Sequence, residues 1–146
     1  MRKAITIIMF LSAFTMNCQD ETKAVKSTIQ NYYDGYIDRD INKLNKAFDL
    51  ENGTMKVPIL KDEKVIGFNN LYFKDLVLKW GNRKKLSPEV LQNCALKILS
   101  IDIVDDKIAS AKISMKVDTI TYIDILSIQK IKGKWKITNK IYSVRK

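Results

Sequence analysis

The chain contains no histidine. That absence removes a Ser-His-Asp or Cys-His catalytic centre, an HExxH zinc site and any imidazole general base. Cysteine is nearly as scarce, and Cys18 and Cys94 are too few for a disulfide framework. Two prolines and five glycines exclude a collagen-like or linker-rich architecture. Only Arg2, Arg39, Arg83 and Arg145 among the 26 basic residues are arginines, so the planar fork that grips phosphate or reads guanine is in short supply. What is present is the composition of a folded domain. The 146 residues are 46% hydrophobic and 29% charged, enough for one core and unlike a disordered chain.

A formal charge of +10 draws attention to nucleic acid, since cations over phosphates gain affinity by releasing counterions. The distribution points elsewhere. Lys134, Lys136 and Lys140 read as one outward face of a strand, and Arg83, Lys84 and Lys85 as a short loop group. The expectation is a solvated surface with a mild attraction to anions and no specific nucleic-acid partner. Asp105 and Asp106 read as turn residues, Asp118 as solvated; no metal or cofactor is expected.

Residues 1–18 read as a targeting segment. Arg2 and Lys3 precede an apolar run from Ala4 to Phe14, short of the about 20 residues a bilayer span needs and shaped like a secretory signal. Cys18, within Thr15-Met16-Asn17-Cys18-Gln19-Asp20, stands where lipoprotein cleavage would expose it for acylation, although Thr15 and Asn17 depart from the usual pattern. Export is expected, with lipid anchoring at Cys18 as the membrane contact and simple secretion as the alternative. The mature domain, residues 19–146, stays basic after losing Arg2 and Lys3. Cys94, beside Ala95 and Leu96, reads as a buried, inert thiol.

From Asp20 the pattern is helices first and strands afterwards, which means an α+β domain. Val25, Ile29, Tyr32, Tyr33 and Tyr36 recur at helical spacing over about residues 21–38. Asp40 is placed to cap a second helix burying Leu44, Ala47 and Phe48. Residues 54–66 read as an extended segment, at an edge because of Pro58. Asn69 or Asn70 is expected to cap a third helix in which Phe73, Leu76, Val77 and Trp80 share a face before Gly81. After Asn82–Pro88 everything reads as strand: 94–104 and 108–120 around Asp105-Asp106-Lys107, then 121–131 and 134–144 around the two-residue loop Lys132-Gly133. Strict alternation outward from that loop puts Asp124, Leu126 and Ile128 on one face with Trp135, Ile137, Asn139 and Ile141.

Residues 122–142, YIDILSIQKIKGKWKITNKIY, resemble the ending of the bacterial "putative lumazine-binding" family of the nuclear transport factor 2-like superfamily, with Asp124, Gly133, Trp135, Asn139 and Lys140 at the family's characteristic places. AVKSTIQNYYDGYIDRD at 24–40 and IDIVDDKIASAKI at 101–113 are similar to its first helix and a middle hairpin. The departures are Lys132 in the turn and a weak match over Thr54–Phe68. The resemblance implies a cone: a strongly bent antiparallel sheet wrapped around the long first helix, with a cavity between them. It also implies frequent dimerisation through the outer sheet face, and here Ile123, Ile125, Ile131 and Tyr142 are expected to face outward.

Three functional readings follow. The first is an exported small-ligand-binding or accessory protein of the cell envelope, with a pocket drawn from Tyr32, Tyr33, Tyr36, Phe73, Trp80, Asp124, Trp135 and Asn139. The second is an enzyme of the ketosteroid isomerase or dehydratase type, with Asp124 as base and a first-helix tyrosine as donor. The third is a structural or interaction protein whose aromatics simply fill the cone, with Asp124 held by hydrogen bonds. Fold alone does not choose among them.

Overall fold

The computed structural model describes residues 20–145; the leader and Cys18 lie outside the described residues. Four helices precede or interrupt six strands in one sheet: α1 (Arg2–Asp38, described from Asp20), α2 (Ile41–Ala47), β1 (Thr54–Lys61), β2 (Lys64–Tyr72), α3 (Phe73–Gly81), α4 (Pro88–Gln92), β3 (Ala95–Val104), β4 (Ile108–Val117), β5 (Ile120–Ile131) and β6 (Lys134–Arg145). The sheet order is β2-β1-β6-β5-β4-β3. This is the expected α+β curved sheet with helices on one face. One correction concerns its sense: β1 runs parallel to β6, so the sheet is mixed. That parallel contact is short, joining only Thr54 to Asn139 and Met55 to Lys140. From Lys56 onward β1 has β2 as its strand partner, which is why Pro58, lacking a donor, is tolerated there.

One apolar cluster joins the layers. Val25, Ile29 and Tyr32 of α1, Leu44 and Ala47 of α2 with Phe48 after it, and Phe73, Leu76, Val77 and Trp80 of α3 pack on Met55, Ala111, Ile113, Met115, Leu126, Ile128, Trp135 and Ile137 of the sheet. Helical spacing on one side and alternation on the other thus converge on a single interior. Helix α1 ends because Arg39 turns left-handed (φ 61°), and the Asp40 N–H donates to the Gly35 carbonyl at 2.9 Å. Asp40 then caps α2, its Oδ1 accepting from the N–H groups of Asn42 and Lys43 at 2.9 and 3.1 Å. Gly35 permits this tight corner: a Cβ there would stand 2.8 Å from the backbone nitrogen of Leu44.

Two helix expectations need correction. Asn69 and Asn70 cap nothing; they are exposed residues of β2, which runs on to Tyr72. Helix α3 starts directly at Phe73, whose N–H is satisfied by the Gly53 carbonyl at 3.0 Å instead of a side chain. The extended segment 54–66 is therefore a hairpin, turning through Asp62 and Glu63, both left-handed at φ 49° and 61°. The stretch after Asn82 also holds a helix, α4, begun by Pro88 and capped by the Ser87 hydroxyl accepting from the Val90 N–H. Cys94 follows it, half-buried, with its thiol donating to the Val90 carbonyl at 3.3 Å.

The decisive local feature is a bulge in the last hairpin. Ile128 pairs with Ile137 as alternation requires, but Ser127 pairs with Asn139, leaving Thr138 as the extra residue. The Thr138 hydroxyl donates to the Ser127 carbonyl at 3.2 Å. Beyond this point every side chain of β6 changes face. Lys140 pairs with Leu126 and Tyr142 with Asp124, both on the inner side, while Asn139 and Ile141 leave it. The expected inward placement of Asn139 and Ile141, and the outward placement of Lys140 and Tyr142, are thereby reversed.

Candidate functional site

The bulge builds a buried polar trio. Asp124 on β5 has no solvent exposure, and Lys140 on β6 retains 4%. The Lys140 ammonium stands 2.9 Å from Asp124 Oδ2 and donates to the Tyr32 hydroxyl of α1 at 2.5 Å. That hydroxyl in turn donates to Asp124 Oδ2 at 2.9 Å. Such a charge pair survives burial only because each charge has the other, together with a hydrogen bond. Among the described residues, none hydrogen-bonds the buried Asp124 Oδ1.

Burial pulls the Lys140 ammonium below its ordinary range, with Asp124 pulling the other way. Burial, reinforced by the Asp124 charge, pushes the Tyr32 phenol well above its ordinary range, so the hydroxyl keeps its proton. Aromatic rings enclose the ammonium: its Nζ lies 4.9, 5.9 and 5.4 Å from the ring centres of Tyr32, Trp80 and Tyr142.

Above the trio opens a cavity of about 160 Å³, lined by Tyr36, Met55, Trp80, Arg83, Met115, Tyr122, Lys140 and Tyr142. Lys140 is its floor and Arg83 its rim. The Arg83 guanidinium donates to the Tyr36 hydroxyl at 2.8 Å and lies 5.7 Å from that ring's centre. Arg39 covers the same ring at 5.2 Å while donating to the Tyr36 carbonyl and to the Lys84 carbonyl. Burial also raises the phenols of Tyr122 and Tyr142, leaving them neutral donors.

A wider groove of about 370 Å³, lined by residues including Phe48, Asp49, Lys132, Lys134 and Lys136, lies elsewhere. Its Lys136 ammonium is committed to the carbonyls of Asn45 and Lys46, at 2.7 and 2.8 Å, closing the end of α2. Its lining includes neither member of the buried charge pair. The smaller cavity is therefore the candidate site.

Of the residues singled out from sequence, the structure brings four to this place: Tyr36 and Trp80 in the cavity wall, Tyr32 and Asp124 behind its floor. It leaves four elsewhere. Tyr33 is half-buried on another face of α1. Phe73 is core filling, 4.3 Å from the ring centre of Phe48. Trp135 is buried, its indole N–H donating to Glu21 Oε2 at 2.7 Å. Asn139 donates to the carbonyl and hydroxyl of Thr54 at 3.3 and 3.1 Å, stitching β6 to β1. Sequence reasoning missed Lys140, Tyr142, Tyr122 and Arg83, and the first two are hidden by the bulge. Among the described residues, no group of three or more His, Cys, Asp or Glu side chains could hold a metal ion.

Comparison with known proteins agrees with the fold. The family model described as "putative lumazine-binding" matches residues 20–143. A nuclear transport factor 2-like protein of unknown function from Shewanella baltica superimposes with a TM-score of 0.70 at 25% identity, covering 87% of this chain and 95% of that one. Another, from Methylobacillus flagellatus, gives 0.67 at 23% identity over 87% and 94%. A "putative scytalone dehydratase" from Novosphingobium aromaticivorans shares the fold, with a TM-score of 0.61 at 12% identity over 90% and 89%. No curated protein matches.

Proposed function

The chain belongs to the "putative lumazine-binding" family, and from that premise we propose that it binds a small organic ligand in the cavity over Lys140 and performs no chemistry on it. The observation that carries this reading is a buried ammonium forming the floor of an aromatic-walled cavity. Such a site offers a buried cationic anchor, further polar groups from Arg83 and the tyrosine hydroxyls, and aromatic ring faces, the convergent polar groups and aromatic surface of a small-molecule pocket. The volume limits the enclosed part of the ligand to about one small ring system.

The geometry argues against Asp124 as a proton-abstracting base. A base must come within about 2.6–3.2 Å of the proton it takes. Asp124 Oδ2 is already engaged by Lys140 and Tyr32, and Asp124 contributes nothing to the cavity wall. The charge it carries serves the lysine.

The test uses tryptophan fluorescence. In a Trp135→Phe variant Trp80, at the cavity wall, is the remaining tryptophan. Lumazine and a panel of planar heteroaromatic compounds are titrated against it. Saturable quenching in this variant, absent in Trp80→Phe, is expected. No saturable response to any compound at millimolar concentration would refute ligand binding.

The reading includes export, with cleavage at or near Cys18 and acylation of Cys18 as the new N-terminus, supported by Arg2, Lys3, the apolar run and Cys18 itself. Intact mass of the membrane-fraction protein tests it; a chain still beginning at Met1 would contradict it. It also includes a homodimer through the outer sheet face, where Ile125 and Ile141 are 48% and 41% exposed. Light scattering showing a strict monomer at high micromolar concentration would contradict that.

A further inference from the structure

We infer that the cavity's ligand is a small organic anion, whose charge is compensated by the Lys140 and Arg83 cations of the cavity and whose apolar body lies against Trp80, Met55 and Met115. The inference rests on the ligand-binding reading above and names the class of ligand.

The first observation is donor arithmetic at Lys140. An ammonium has three N–H donors and no acceptor. Asp124 Oδ2 and the Tyr32 hydroxyl take two, and the same ammonium lines the cavity. One donor therefore remains for whatever enters.

The second observation is that the wall holds donors and cations but no acid. Its polar groups are Lys140, Arg83 and the hydroxyls of Tyr36, Tyr122 and Tyr142; among the described residues, no aspartate or glutamate lines it. Asp124 compensates Lys140 from behind. Nothing compensates the rim: among the described residues, neither Arg83 nor Arg39 forms an ion pair. Their guanidinium carbons lie 5.7 and 5.2 Å from one tyrosine ring centre, so two like charges are held close around Tyr36. Of the five N–H donors of Arg83, the structure commits one, to the Tyr36 hydroxyl.

The third observation is the remaining surface. Trp80, Met55 and Met115 give the cavity an apolar side, and Met adapts to irregular shapes. A neutral ligand would leave the Arg83 charge uncompensated as it closed over it. A cation would meet repulsion at rim and floor alike. A monoanion with a compact apolar body meets a cationic donor at floor and rim alike, and the charge of the rim steers it inward. A carboxylate and an ionised ring imide or enol share this chemistry.

The experiment compares two probes of nearly identical shape, benzoate and benzamide, by calorimetry and by Trp80 quenching in the Trp135→Phe protein. Benzoate is expected to bind at least about tenfold more tightly than benzamide, and to weaken as ionic strength rises. Arg83→Gln, a change at an exposed residue, is expected to cost benzoate about tenfold and to cost benzamide less, narrowing the gap between the two probes. Lys140→Met combined with Asp124→Leu, which removes both buried charges together, should reduce the preference for the acid to what Arg83 alone supplies. Equal affinity for the two probes would overturn the anionic class while leaving ligand binding intact. Benzoate binding indifferent to both variants would place the anion elsewhere and overturn the inference. Failure of benzoate, benzamide and lumazine alike would overturn both readings.

Discussion

Replacing Lys140 by methionine keeps the unbranched stem as far as Cε and removes the charged nitrogen. The structure fixes what is left behind. Among the described residues, Asp124, with no solvent exposure, keeps a single donor in the Tyr32 hydroxyl, while its Oδ1 has no hydrogen-bond partner from the start. Breaking a buried ion pair from one side costs about 3–5 kcal/mol, because the surviving charge remains in a poor solvent. For a domain of this size each kcal/mol moves Tm by about 4 °C, so Lys140→Met should lower it by about 12–20 °C. The double variant Lys140→Met/Asp124→Leu removes both charges and should recover most of that loss. Adding Tyr32→Phe removes the last stranded hydroxyl. Urea unfolding followed by tryptophan fluorescence, run as a double-mutant cycle, measures the coupling. Lys140→Met within 1 kcal/mol of the parent would refute the argument, since that is how an outward lysine on a regularly alternating strand would behave.

Asp124→Asn should cost about 2–3 kcal/mol by the same unfolding assay, less than Lys140→Met, because the amide oxygen still accepts from Tyr32 while the ammonium loses its counter-charge. Gly53→Ala should destabilise by about 1–3 kcal/mol, measured by thermal melting, because the new Cβ would stand 2.4 Å from the Asp49 carbonyl oxygen and 2.5 Å from the buried Phe73 ring. Glu21 is held below its ordinary value of 4.5 by hydrogen bonds from Lys130 and then Trp135. Its contribution is thus present above pH 4.5 and lost as pH falls through the lower folded-state value; an acid titration of stability should flatten over that window in Glu21→Gln.

The order of elements was legible because α1, α2 and α3 carry their apolar residues at helical spacing, and β4 alternates without interruption from Ala109 to Val117. The turn at Lys132-Gly133 was legible too, since both residues are left-handed there, at φ 49° and 75°, and glycine adopts that conformation freely. The turn at Asp62-Glu63 was not, because it uses the same backbone with neither glycine nor asparagine. Helix α4 had a signal in Ser87-Pro88-Glu89, a cap followed by proline at the first helical position, that the surrounding polar stretch obscured.

The site was half legible for a sharper reason. Asp124 and Tyr32 follow from period and spacing, but Lys140 does not. Strict alternation assigns apolar Ile141 to the core and charged Lys140 to solvent, and hydrophobicity agrees with that wrong choice. Only the unpaired Thr138 reverses it, and a bulge is a pairing event between β5 and β6 that no single-strand pattern contains. Trp135 and Asn139, prominent in sequence, serve instead to fasten Glu21 and Thr54.

Lysine ammonium signals give the most direct view of the claim that Lys140 is a buried cation offering a donor to a cavity ligand. In a spectrum of ¹⁵N-labelled side-chain ammonium groups, most lysines exchange with water too quickly to be seen, whereas a group bonded to Asp124 and Tyr32 is protected. The account predicts one protected ammonium that disappears in Lys140→Met/Asp124→Leu and shifts saturably when benzoate is added. A spectrum without that signal, or one in which the signal ignores every added probe, would contradict it.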